Sequence, residues 1–241
     1  MYAWQTVLSF ALGRWVAPAL AAGTLGGQPA WELWADWRQS NWYRAYAWWD
    51  TDDRAGLDEI SGLLLRAWAD PARNGTARYV AHHVVEANEP RTTLEARVML
   101  LGAALEFLSW DAYVLSGHRS RSEHSQNAAT NLRELLEAAR IDTAVPSGLD
   151  DLERFRADEG VRGAPEAISR LRNRLVHPKD VDEPYRLRHL VLQVWQLLAE
   201  YAELLLLHDL GYAGLCNPRH PPGRWAHDSS PVPWADPPAA T

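Results

Sequence analysis

Between residues 57 and 210 the apolar positions recur at helical spacing. Leu57, Ile60, Leu63, Leu64 and Ala67 mark one helix face, which Asp70-Pro71 closes because the residue before a proline is pushed out of helical geometry. Ala77, Val80, Ala81, Val84 and Val85 predict a second helix, ended by Asn88-Glu89-Pro90. Leu94, Val98, Leu101, Leu105, Leu108, Ala112 and Leu115 then alternate in steps of four and three, with Thr92 and Glu95 as a capping box at the start and Ser116-Gly117 as the stop. Glu106 lies beside that stripe, where a partly buried carboxylate needs a partner. A polar loop spans His118 to Gln126, and Leu132, Leu135, Leu136 and Ala139 give a fourth helix. After Pro146 and Gly148 comes a short charged helical piece around Leu149–Phe155. Gly163 and Pro165 start a helix with Ile168, Leu171 and Leu175 inward. Pro184 opens the last helix, which runs to about Leu210 with Leu190, Val194, Leu197, Tyr201 and Leu205 inward and Gly211 as its C-terminal cap.

The two ends read differently. Tyr2, Trp4, Thr6, Leu8 and Phe10 alternate as in a short strand, and Gly23, Gly26, Gly27 and Pro29 break regular structure. Seven prolines follow Asn217, which predicts an extended tail with Trp225 and Trp234 placed to pin it to the body. No repeat of 20–50 residues occurs. The expected organisation is a Trp-rich N-terminal segment (1–55), a helical domain (56–215) and a Pro-rich tail (216–241). The expected fold class is all-α, an antiparallel helical bundle with a short irregular or β-containing N-terminal segment.

Composition narrows the function. At 241 residues the chain can bury roughly 70% of its unfolded surface without staples. A single cysteine, Cys216, excludes an intrachain disulfide and suggests a reducing compartment. A net charge of −7 argues against a surface that is basic all round. Nine of the 24 basic residues nevertheless fall between Arg154 and Arg188, with six acids, so RNA contacts are expected there. The first basic residue, Arg14, follows the apolar Val7–Leu12 instead of preceding it, unlike a signal peptide, and the reading is a soluble cytoplasmic protein with no membrane partner. Eight of the 13 tryptophans lie in the first 50 residues, and an aromatic mini-core is preferred to base-stacking platforms. His82 and His83 are expected to be partly exposed helix residues, since no His-Glu-x-x-His or Glu-x-x-His accompanies them; neither a metal nor a cofactor is expected.

The chemistry concentrates in Leu171-Arg172-Asn173-Arg174-Leu175-Val176-His177-Pro178. On a helix, Asn173 and His177 stand about 40° apart, opposite Ile168 and Leu171, and Arg170 joins them. Pro178 should end the helix at His177. RNA carries its own nucleophile, so cleavage needs a group that moves protons, for which histidine is suited, and a clamp on phosphate, for which the arginine fork is suited. Three residues are a weak pattern; Arg119 and His124 repeat the spacing in a Ser-rich loop without the asparagine, and that pair is discounted. The bland alternatives are an Arg172–Glu106 ion pair and a His177 that only ends a helix. A nucleotide-binding regulator ranks last, because no Gly-rich phosphate loop is present.

Over Leu94 to Trp234 the chain resembles HEPN-domain proteins, specifically the ApeA-like branch. The likeness rests on Leu105-Glu106, on the Leu171–Pro178 stretch, on Leu210-Gly211-Tyr212-Ala213-Gly214 and on Val232-Pro233-Trp234. The resemblance implies a helical bundle, often a homodimer, and a metal-independent ribonuclease of toxin–antitoxin or antiphage type whose two facing motifs form one composite site. It implies Arg172, Asn173 and His177 as catalytic residues, which Glu106 would support; the RNA contacts, sought in the basic window, are expected at Arg170, Arg174 and Lys179. An antitoxin or defence-system partner is implied as well. The branch often carries a larger strand-rich N-terminal domain, of which the 55-residue segment would be a remnant. Some HEPN proteins are non-catalytic interaction or scaffold modules, which is the alternative function.

Overall fold

A computed structural model describes residues 2–17, 21–33, 37–41, 43, 47–125, 127–180, 182–220 and 228–235. Trp34, Trp42 and Trp225, and half of the Pro-rich tail, lie outside the described residues. The chain is mostly helical, with two small antiparallel sheets among the described residues.

The helices begin with α1 (Tyr2–Leu12), where the alternating pattern had predicted a strand. Its buried positions are Gln5, Thr6, Val7, Ser9, Phe10 and Ala11, a helical face, while Tyr2 and Trp4 point outward. The alternation came from aromatic side chains that are not all on the core side. The strands lie instead in the glycine stretch, as β1 (Ala21–Leu25) and β2 (Gln28–Leu33). Leu25 pairs with Gln28, leaving Gly26-Gly27 as a two-residue loop with both φ positive, a conformation only glycine adopts without strain. Gly23 faces Trp31, whose ring covers it so closely that a Cβ there would lie 2.1 Å from the indole nitrogen.

Next come α2 (Arg54–Ala69), α3 (Asn74–Asn88) and α4 (Leu94–Trp110), all close to their predicted limits. The cap of α4 is Thr93, whose hydroxyl accepts from the Ala96 amide, and not Thr92, whose hydroxyl donates to the Glu86 carbonyl. Only part of the long apolar stripe is core. A π-helical turn over Asp111–Leu115 widens the backbone after Trp110 and leaves Leu115 64% exposed. Then follow α5 (Arg121–Ser125), in the stretch expected to be loop, α6 (Ala128–Ala138), α7 (Asp150–Asp158) and α8 (Ala164–Val176). The predicted last helix is two, α9 (Glu183–Arg186) and α10 (Arg188–Leu210), parted at Leu187. Gly211 closes α10 in the left-handed region.

The core is built around α10, which is buried on nearly every face and packs against α2, α3, α4 and α7. Its α3 neighbour runs antiparallel to it, since Arg73 pairs with Asp209 at one end and the Ala87 carbonyl accepts from Trp195 at the other. The same α3 runs antiparallel to α4, fixed by Thr76 to Asp111 and Arg97 to Glu89. It follows that α4 and α10 run the same way, so the arrangement is not a uniformly alternating bundle. Residues 94–115 and 188–210 are both apolar and long enough to span a bilayer, but 83% of the α10 window is buried inside the protein. The α4 window is 39% buried, its start and the π-helical turn being largely half-buried or exposed.

The N-terminal segment shares this core. Val7, Phe10 and Trp48 pack with Ile60, Leu64 and Tyr212 in one apolar cluster. The chain downstream of α10 closes over it: β3 (Leu215–Cys216) pairs with β4 (Ser230–Pro231), and the Asn217 amide donates to the Trp48 carbonyl at 2.6 Å. Trp234 does pin its stretch, donating to the Tyr212 carbonyl at 2.7 Å. Arg219 and Glu203 form a pair enclosed in the core, with Asn88 as a further partner of Arg219. Burial beside Glu200 and Glu203 pushes the Cys216 thiol up to about 12, which keeps it protonated and unreactive.

Candidate functional site

The motif helix α8 is anchored at its start. Ala164 donates to the Thr143 carbonyl at 3.0 Å, and Gly163 comes so near that carbonyl that a Cβ would sit 2.7 Å away. Arg133, almost fully buried on α6, reaches both Glu166 carboxylate oxygens and the Thr143 hydroxyl, a charge-assisted clamp between α6 and α8. With Ile168 and Leu171 in the core, the rotation of α8 is fixed, and so is the direction of each motif side chain.

That direction splits the motif. Arg172 points to α4, where it pairs with Glu106 within the same chain, so the partner expected for the carboxylate is present. The arginine stem packs over Gly102, whose hypothetical Cβ would be 3.1 Å from Arg172 Nε, so any larger residue there would press the side chain aside by a few tenths of an ångström. His177 caps the other end with φ −127°, its amide donating to the Asn173 carbonyl at 2.9 Å. The helix therefore ends where Pro178 predicted. Five helical residues separate Arg172 from His177, or about 140° of rotation, so the two side chains diverge. Asn173 and His177 are exposed, and among the described residues neither side chain has a hydrogen-bond partner, not even the other. Of the expected RNA contacts, Arg170 and Lys179 have exposed side chains, whereas Arg174 is engaged by Glu159 and lies over the Phe155 ring.

Arg172 and Glu106 form part of the wall of a cavity of about 500 Å³ between α4, α6 and α8. Its sides are mostly apolar or aromatic, with Tyr79, Phe107 and Trp110 prominent, and its polar wall groups include Ser109, His124 and Asn131. His124, 8% exposed, shares a 2.9 Å hydrogen bond with the Ser109 hydroxyl and meets Trp110 edge-on. This is the histidine of the discounted Arg119–His124 pair. Arg119 itself turns to Glu134 and Asn131, and Asn131 in turn donates to the His124 carbonyl. The two Arg-x-x-x-x-His spacings thus contribute one residue each to a single cavity, Arg172 from the second and His124 from the first. Composition of the loop gave no signal for this; burial of His124 depends on α5, which the polar sequence did not announce.

The chemistry available is that of an anion clamp at the cavity rim and a hydroxyl–imidazole pair within. The other His124 ring nitrogen has no partner among the described residues, so the Ser109–His124 pair lacks the orienting third group of a nucleophilic triad. Among the described residues no three His, Cys, Asp or Glu side chains gather to hold a metal ion.

A helical protein with an arginine-edged cavity and a hairpin-bearing N-terminal segment is the class these features define. Residues 70–230 match the model of the YopA C-terminal domain, and residues 1–45 match that of the YopA central domain. The first match takes in more than half of the chain, which therefore belongs to the YopA family. No curated protein and no solved structure matches it.

Proposed function

We propose that the chain is a metal-independent endoribonuclease of HEPN-like type whose active site is completed by a second copy. The observation that carries this reading is the divergence of the motif. Arg172 is half-buried and turned to the cavity, while Asn173 and His177 are exposed and unpartnered, about 100° and about 140° round the helix from it. Within one protomer the two groups point to different sides of α8, and a second copy facing it would offer its own His177 to Arg172. In that site Arg172, supported by Glu106, binds the phosphate, His177 moves the protons and Asn173 orients its ring. The 2′-hydroxyl loses its proton and attacks phosphorus, and the 5′-oxygen leaves with a proton, giving a 2′,3′-cyclic phosphate end. Histidine can do both transfers near neutral pH. Arg170 and Lys179 flank this face and favour the RNA backbone. The setting would be cytoplasmic, in antiphage defence or growth arrest, with an antitoxin or defence-system protein as partner.

One observation favours the second reading, a non-catalytic interaction module: Arg172 is already satisfied by Glu106 inside one chain. RNA cleavage in chelator, compared between wild type and His177→Ala at matched dimer content, separates the two. The ribonuclease reading expects cleavage by wild type and its loss, by at least a hundredfold, in the variant with an unchanged melting curve. Equal cleavage by both proteins refutes it.

A further inference from the structure

The cavity beside Arg172 has a use that phosphate binding alone does not explain. Its interior is unsuited to a phosphate, since Leu105, Leu132, Ile168 and Leu198 line it and its one arginine, Arg172, shares the wall with Glu106. It is suited to a flat, largely apolar body. Phe107 and Trp110 come from successive turns of α4, and Tyr79 reaches Phe107 with ring centres 4.6 Å apart, so one flank is aromatic. Ser109 and His124 supply a hydroxyl and an imidazole within this apolar wall, both buried and bonded to each other. Burying such a pair costs free energy that an apolar pair of the same shape would not. A hydrogen-bonding edge at an apolar, aromatic cavity is what selective recognition of a heterocycle requires. The volume, about 500 Å³, lies within the usual range for small-ligand sites.

We propose that this cavity takes one unstacked nucleobase of the RNA whose phosphate Arg172 holds. The proposal rests on the ribonuclease reading for its ligand, and on the cavity for its geometry. The base enters with its edge toward Ser109 and His124, its face against the Trp110 side, and its sugar phosphate stays at the rim, where Arg172 keeps N–H groups not given to Glu106. Base preference then belongs to Ser109 and His124, and bond cleavage to His177, which does not line the cavity.

Titration calorimetry with the four nucleoside 3′-monophosphates, ribose 5-phosphate and inorganic phosphate tests this on the intact chain. At least one nucleotide is expected to bind tenfold or more tightly than ribose 5-phosphate. Ser169→Trp, which fills the cavity from its half-buried wall, should abolish that difference. Ser109→Ala, a smaller change whose melting curve is checked alongside, should narrow the spread among the four bases severalfold. His177→Ala should bind nucleotides as wild type does while losing cleavage. Nucleotides that bind no better than ribose 5-phosphate, or equally well to Ser169→Trp of unchanged melting temperature, overturn the base pocket whatever the cleavage assay gives. Tight, cavity-dependent nucleotide binding without any RNA cleavage keeps the pocket and removes the ribonuclease.

Discussion

Two arginine–glutamate pairs in this molecule look alike in composition and differ in environment. Arg219 and Glu203 are 2% and 1% exposed, and Asn88 takes a further N–H of the guanidinium. Arg172 and Glu106 are 28% and 47% exposed, at the rim of a cavity. Within the core, water cannot replace a lost partner, so both members of the first pair must stay. At the rim, water or a ligand anion can replace the carboxylate, so the second pair can open. The first pair is therefore structural, and the second holds an arginine in place without consuming it.

The largest effect should come from breaking the enclosed pair. Arg219→Ala leaves Glu203 without a partner in the core, where burial already holds its carboxyl above the usual range, and is expected to cost about 3–5 kcal/mol, against about 0–1 kcal/mol for Arg172→Ala. Urea unfolding of both variants measures the contrast, and similar losses would erase it. Next in size is a change that moves the rim arginine without removing it. Gly102→Ala places a methyl group against the Arg172 stem and should lower RNA cleavage severalfold with no fall in thermal midpoint, since alanine favours the helix. A lower midpoint with full activity would show that Gly102 serves packing only.

The smallest effect extends the contrast to the histidines, of which His177 is exposed and His82 half-buried. Burial, followed by Arg78, His83 and Arg38, holds His82 below its ordinary value near 6.5, and its Nε2 shares a hydrogen bond with the Thr6 hydroxyl. Because the unfolded chain takes up this proton first, stability is unaffected well above pH 6.5 and declines as pH falls through it. His82→Gln should flatten that decline between pH 7.5 and 5.5 in chemical denaturation, and an unchanged decline in the variant would remove His82 as its source.

How much of this was legible depended on which force decided each element. The limits of α3 and α8 were set by local chemistry, namely Pro90, Gly163, Pro165 and Pro178, and local chemistry is visible in sequence. The same held for Gly211 at the end of α10. The N-terminus was decided by packing: Phe10 and Val7 turn to Trp48 and α2, and a period of two among aromatic residues was the wrong guide. Gly26-Gly27 was read as a breaker although two glycines between apolar runs also make a hairpin loop. For the site, the Arg172–Glu106 pair was anticipated from the stripe of α4. The entry of His124 into the cavity was not, because it depends on α5 and a hydrogen bond to Ser109, a residue fifteen positions away.

The enclosure of Glu203 also sets an order of events during synthesis. Its guanidinium partner is sixteen residues downstream, and the Trp48 carbonyl waits even longer for the Asn217 amide. Without residue 219, α10 can dock only by burying Glu203 without its counter-charge, at the cost of desolvating the charge or of loading the carboxyl with a proton. The central helix is therefore fully paired in the core only when Arg219 is in place, which makes the stretch after α10 part of the core's assembly and not an appendage to it.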